Sequence, residues 1–75
     1  MRLLLNKQTG RLKEVITDDR EVEFQETCVR SDRLCIHDLN KDNAILVEYN
    51  KEIPSNWRKF LYYYLFKSKK LVRLK

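Results

Sequence analysis

The chain predicts an α+β fold: a meandering antiparallel sheet of about five strands from Met1 to Tyr49, with a helix from Asn56 to about Ser68 packed across one face. Three observations carry this reading. Short apolar runs separated by polar turn residues fill the first two thirds of the chain. The hydrophobic period changes after Ile53-Pro54-Ser55-Asn56. The only glycine, Gly10, and the only proline, Pro54, both fall at such boundaries. An all-β small barrel is the alternative. With 75 residues, 43% of them hydrophobic and 36% charged, the sequence reads as one folded domain over 1–75 and not as a disordered or repeat segment. A chain of this size buries only about 60% of the surface its unfolded form exposes, so binding is expected over an enclosed catalytic pocket.

Met1 to Leu5 and Arg11 to Ile16 are apolar-rich runs around Asn6-Lys7-Gln8-Thr9-Gly10, the pattern of a β-hairpin whose loop closes through a positive φ at Gly10. Thr17-Asp18-Asp19-Arg20 is a turn, because an Asp side chain can bond the backbone two residues on. Val22, Phe24 and Cys28 share one parity, with Glu21, Glu23 and Gln25 on the other, which predicts a half-buried strand that only Glu26 interrupts. Ser31-Asp32 breaks the sheet before a short strand from Arg33 to His37, and Asp38 to Asn43 is a polar turn before Ala44 to Tyr49. Ala44-Ile45-Leu46-Val47 is continuously apolar and is therefore expected at the centre of the sheet. Ser55 is a suitable N-cap, and Trp57, Phe60, Leu61, Tyr64 and Leu65 recur at helical spacing. The run Phe60 to Phe66 also has high β-propensity, but the cap and the stripe favour the helix. Leu71 to Leu74 is expected to add a strand beside Met1 to Leu5.

The net charge of +5 is unevenly placed: eight basic residues against nine acids up to Asn43, then eight against two from Ala44 on, with no acid after Glu52. Such a stretch attracts phosphate or an acidic protein surface. The acids Asp18, Asp19, Glu21, Glu23 and Glu26 alternate along a strand and so do not converge on a cation; they read as a solvated face. Asn6 and Lys7 cut off Leu3 to Leu5 before a secretory signal forms, and two cysteines are too few for a disulfide scaffold, so a cytoplasmic setting with reduced thiols is expected. The longest apolar run, Phe60 to Phe66, is far short of the roughly 20 residues of a membrane-spanning helix.

On the expected helix, Tyr62, Tyr63 and Phe66 project away from the apolar stripe and share their side with Arg58, Lys59 and Lys69. The C-terminal strand can simply cover these rings. The alternative is a binding surface of Arg58, Lys59, Tyr62, Tyr63, Phe66, Lys67, Lys69 and Lys70, on which rings stack against bases while cations neutralise phosphates. The leading expectation is thus a non-enzymatic module contacting nucleic acid or a nucleoprotein complex. The second is a protein-interaction module, a small regulator or inhibitor or an obligate homodimer, using the same face. A membrane-surface contact by the basic helix is third. Cys28, Cys35 and His37, spaced C-x6-C-x-H, lack the two tight ligand pairs of a structural zinc site, so no metal or cofactor is expected. Cys35 and His37 on one strand face place a thiol near an imidazole, yet nothing in the sequence supplies the orienting group or oxyanion site that catalysis needs.

Overall fold

Leu3-Leu4-Leu5 sets the architecture. In a strand, successive side chains point to opposite faces, so three consecutive leucines can all be buried only if both faces are covered. In the computed structural model, which describes residues 1–32 and 34–74, all three are at most 1% exposed. They lie in β1 (Arg2–Asn6), flanked on both sides by antiparallel partners, β2 (Leu12–Ile16) and β6 (Ala44–Glu48), in the order β2-β1-β6. Leu3 and Leu5 pack with Leu12, Tyr49, Tyr62 and Tyr64. Leu4 packs with Val29, Leu39 and Ala44. The first set is supplied largely by a C-terminal hairpin, β7 (Leu61–Leu65) and β8 (Lys70–Leu74). The second comes from the small sheet of β3 (Glu23–Phe24), β4 (Val29–Ser31) and β5 (Leu34–Ile36), with the loop that follows it.

The expected β1–β2 hairpin is present, with a bulge. Leu4 pairs with Glu14 but Leu5 with Leu12, which makes Lys13 the extra residue. The bulge shifts side-chain parity by one. Leu12 and Val15, three apart, therefore both pack in the Leu3 and Leu5 cluster. Asn6 Oδ1 accepts from the Gln8 and Thr9 amides, and the Gly10 amide donates to the Asn6 carbonyl at 2.7 Å. Gly10 has φ +79°, a conformation that costs other residues about 1–2 kcal/mol. It also lies against β7: the Tyr64 amide donates to its carbonyl at 2.8 Å, and a Cβ there would sit 2.5 Å from the Tyr64 oxygen.

The expected helix does not form, and the α+β class gives way, among the described residues, to an all-β arrangement of three small sheets that do not join into one closed barrel. Among the described residues the only helical element is a 3-10 turn, Trp57–Lys59, whose flanking Asn56 makes no side-chain cap bond. Burial along β7 alternates, Tyr62 and Tyr64 inward, Leu61 and Leu65 outward, which is the period of a strand. The continuous apolar run Phe60 to Phe66 satisfies the i, i+3, i+4 template automatically, so four of the five stripe positions carried no helical information. The three tyrosines then decide for the strand through β-propensity. Lys69, at φ +56°, helps close the turn to β8, its amide donating to the Leu65 carbonyl at 2.7 Å.

Three further expectations are corrected. The Val22-to-Cys28 strand is a hairpin: the Gln25 amide donates to the Cys28 carbonyl at 2.9 Å and Phe24 pairs with Val29, which puts Glu26 in the turn. The Ala44 segment, β6, is an edge of its sheet; its apolar continuity reflects two covered faces, with Ile45 and Val47 on one cluster and Leu46 on the other. Leu71 to Leu74 pairs with β7 and not with β1. The break at Ser31-Asp32 does occur, with Asp32 at φ +50° and Ser31 Oγ donating to the Glu21 carbonyl at 2.8 Å. Arg33, expected to open the next strand, lies outside the described residues.

Gly10→Ala is expected to lower unfolding stability by about 2 kcal/mol or more, since it meets both the positive φ and the Tyr64 backbone. Urea unfolding reads the loss, and a variant as stable as the parent would show that this contact does not hold the C-terminal hairpin.

Candidate functional site

Cross-strand partners in an antiparallel pair share a face. Tyr62 and Tyr64, with Leu71 opposite Tyr64, face the central sheet. The outer face therefore carries Leu61, Tyr63 and Leu65 from β7 against Leu74, Val72 and Lys70 from β8. Leu61 and Val72 are each 40% exposed, Leu65 46% and Leu74 53%. Most of the large exposed hydrophobic residues of the chain thus cluster on this hairpin and its flanks, where Phe60 and Phe66 are also exposed.

The residues expected to form one aromatic and basic face are divided. Tyr62 is buried against the sheet, and Tyr63 points to the opposite side. Phe66 lies edge-on to Tyr64, ring centroids 5.2 Å apart, and Tyr64 is in turn edge-on to Tyr49 at 6.3 Å. Arg58 and Lys59 sit in the 3-10 turn. The Arg58 guanidinium lies 5.0 Å above the Trp57 ring and donates to Glu14 Oε1 at 3.0 Å, so its charge is already engaged. Lys67 and Lys69 belong to the β7–β8 turn, and Lys70 opens β8. Arg73, which was not among the expected binding residues, stacks its guanidinium 3.6 Å over Phe60. Cations consequently stand at both ends of the hairpin, with aliphatic side chains between them. Leu61 and Leu65 were assigned to a buried stripe by the helical reading; the alternation of strand pairing is the signal that places them outside.

A second cluster lies on the small sheet. On the β4–β5 ladder Arg30 pairs with Cys35 and Val29 with Ile36. One more step in that register sets Cys28 across from His37, and Cys35 is two residues before His37 on the same face. The C-x6-C-x-H spacing is thus a hairpin spacing. Cys35 Sγ lies 3.4 Å from His37 Nε2, and the two sulfurs and a ring nitrogen all fall within 4.8 Å of one another. Both thiols are free; Cys28 is buried and hydrogen-bonds Gln25 Oε1 at 3.2 Å, while Cys35 and His37 are exposed. Burial, and then the neighbouring Cys35, push the Cys28 thiol up from its ordinary value.

No protein-family model matches the chain, nor does any curated protein or solved structure. Among the described residues no helix is long and apolar enough to cross a membrane.

Several acids are held in ion pairs, and among the described residues no three carboxylates converge on one point. Lys13, the bulge residue, bonds Asp38, whose carboxyl is held below the usual range by that hydrogen bond. Arg20 binds both oxygens of Asp18, at 2.7 and 2.8 Å, and its amide donates to Asp18 as the expected turn requires. The Arg20 side-chain bonds hold Asp18 down from 3.8 to about 2. A depressed carboxyl stabilises the fold above its unfolded value, and this contribution disappears as pH falls from about 4 through about 2. The carboxyl carbon of Asp18, followed by NMR, is expected to titrate near 2, and Arg20→Ala to return it to the ordinary range; an ordinary midpoint in the parent would refute the pair.

Proposed function

We propose that the chain is a non-enzymatic binding module that docks a partner protein through the outer face of the β7–β8 hairpin, the partner offering apolar side chains within an acidic rim. One observation supports this most: Leu61, Leu65, Val72 and Leu74 stand exposed together on one sheet face, and a contiguous apolar patch is a characteristic contact surface. Burying each such side chain is worth about 1.5–3 kcal/mol, enough for a few of them to carry a specific complex. Lys59 near one end, with Lys67, Lys69 and Lys70 at the other, selects for acidic neighbours.

Charge also separates this partner from the other occupants weighed from the sequence. Stacking two copies face to face brings like charges together in either orientation, because both ends of the hairpin are basic. Nucleic acid finds cations here, but Tyr62 is in the core and the two exposed phenylalanines, Phe60 and Phe66, flank opposite ends of β7, so fewer rings stand together than the basic aromatic face would need for stacking. The free thiols suit a reducing, cytoplasmic setting.

Leu65→Lys and Leu74→Lys separate apolar docking from attraction to phosphate, because each removes apolar surface while adding positive charge. Both positions are exposed, so melting is expected to be unchanged. Affinity for a partner recovered with the parent chain, then purified and remeasured alone, is expected to fall about tenfold or more with each variant. Partner affinity untouched by either change, or binding to DNA, RNA or anionic vesicles at low salt that strengthens with the added lysines, would overturn the proposal.

A further inference from the structure

We propose that Cys28, Cys35 and His37 form a binding site for a thiophilic divalent cation of the Zn2+ type, held by two thiolates and one imidazole with the fourth position open. The inference rests on the geometry of the β4–β5 hairpin and is independent of the docking surface. Zn2+ binds sulfur at about 2.3 Å and nitrogen at about 2.0–2.1 Å in a tetrahedron, which sets its S···N edges at about 3.6 Å and its S···S edge at about 3.8 Å. Cys35 Sγ and His37 Nε2 already stand 3.4 Å apart, and no pair in the triad exceeds 4.8 Å. About an ångström of side-chain adjustment therefore closes the set around an ion, with no change in the strand register.

The surroundings match the chemistry. Two thiolates balance the charge of the ion, so the buried Cys28 end of the site carries no uncompensated charge. Cys35 and His37 face solvent, which gives the ion an entry path and lets water take the fourth position, as in open zinc sites. An ion bound here fastens the ends of the β4–β5 hairpin, in a sheet whose strands are only two or three residues long.

The experiment is a Co2+ titration of the whole chain, reduced with a phosphine and free of air, followed by displacement with Zn2+. The expected result is one ion per chain, a thiolate-to-cobalt charge-transfer absorption with the d–d bands of a tetrahedral complex, bleaching by Zn2+, and a raised melting temperature with Zn2+ present. Cys35→Ser and His37→Ala, both at exposed positions and expected to fold, should each weaken Zn2+ binding by about 100-fold or more. Cys28 is buried, so Cys28→Ala is read only where its unfolding transition stays cooperative. Zn2+ held no more tightly by the parent than by the Cys35→Ser/His37→Ala double variant would overturn the site. So would a chain that forms a Cys28–Cys35 disulfide in air yet shows no metal absorption when reduced.

Discussion

Burial of β1 on both faces is the constraint from which the remaining structure follows. Three consecutive leucines in a strand leave the central sheet with two apolar faces, and neither can be left in water without losing the burial that stabilises so short a chain. One face is covered by the β3-β4-β5 sheet and the loop carrying Leu39, the other by the tyrosines of β7. Gly10 then acts as the junction, because only a residue without a Cβ lets the tip of the first hairpin accept the Tyr64 amide so closely. A covering layer made of a two-stranded hairpin has an outer face of its own, and nothing further in the described chain packs on it. The exposed aliphatic surface is in this sense a consequence of how β1 is buried.

The same layering explains why aromatic residues and cations separate. In a strand the tyrosines at 62 and 64 must share a side, and the core takes that side. Tyr63 is left among leucines and valine, while the cations collect at the turn and at the strand ends. The small sheet shows the converse, with pairing register bringing together what sequence distance holds apart: Cys28 and His37 lie nine positions apart in the chain and one step beyond the β4–β5 ladder.

The sequence was legible where local chemistry decides conformation. Gly10, the Asp18 turn, the Ser31-Asp32 break and the Asn-rich loop before Ala44 each specify the backbone through a positive φ or a side chain bonding its own backbone. It misled where a pattern had two solutions. The run Phe60 to Phe66 fits both periods, and the β-propensity of its tyrosines together with the sheet they cover selects the strand. Leu39 looked like a loop residue among polar neighbours, yet it is fully buried, because the Asn40 to Asn43 turn that follows it is closed by side-chain bonds and Leu39 packs with Leu4, Val29 and Ala44. The expected basic surface suffered most, since a face drawn on a helix does not survive conversion to a strand. The Cys28, Cys35 and His37 set was visible as a spacing, but its closeness was not, because the three side chains are brought together by strand pairing and not by a tight turn.

Nuclear Overhauser contacts from the methyl groups of Leu3, Leu4 and Leu5 test the layered arrangement most directly. Leu3 and Leu5 are expected to contact the rings of Tyr62 and Tyr64, and Leu4 to contact Val29 and Leu39 but no tyrosine of β7. Leu4 methyls in contact with Tyr62 or Tyr64, or sequential amide contacts of a helix running from Asn56 to Ser68, would contradict the account.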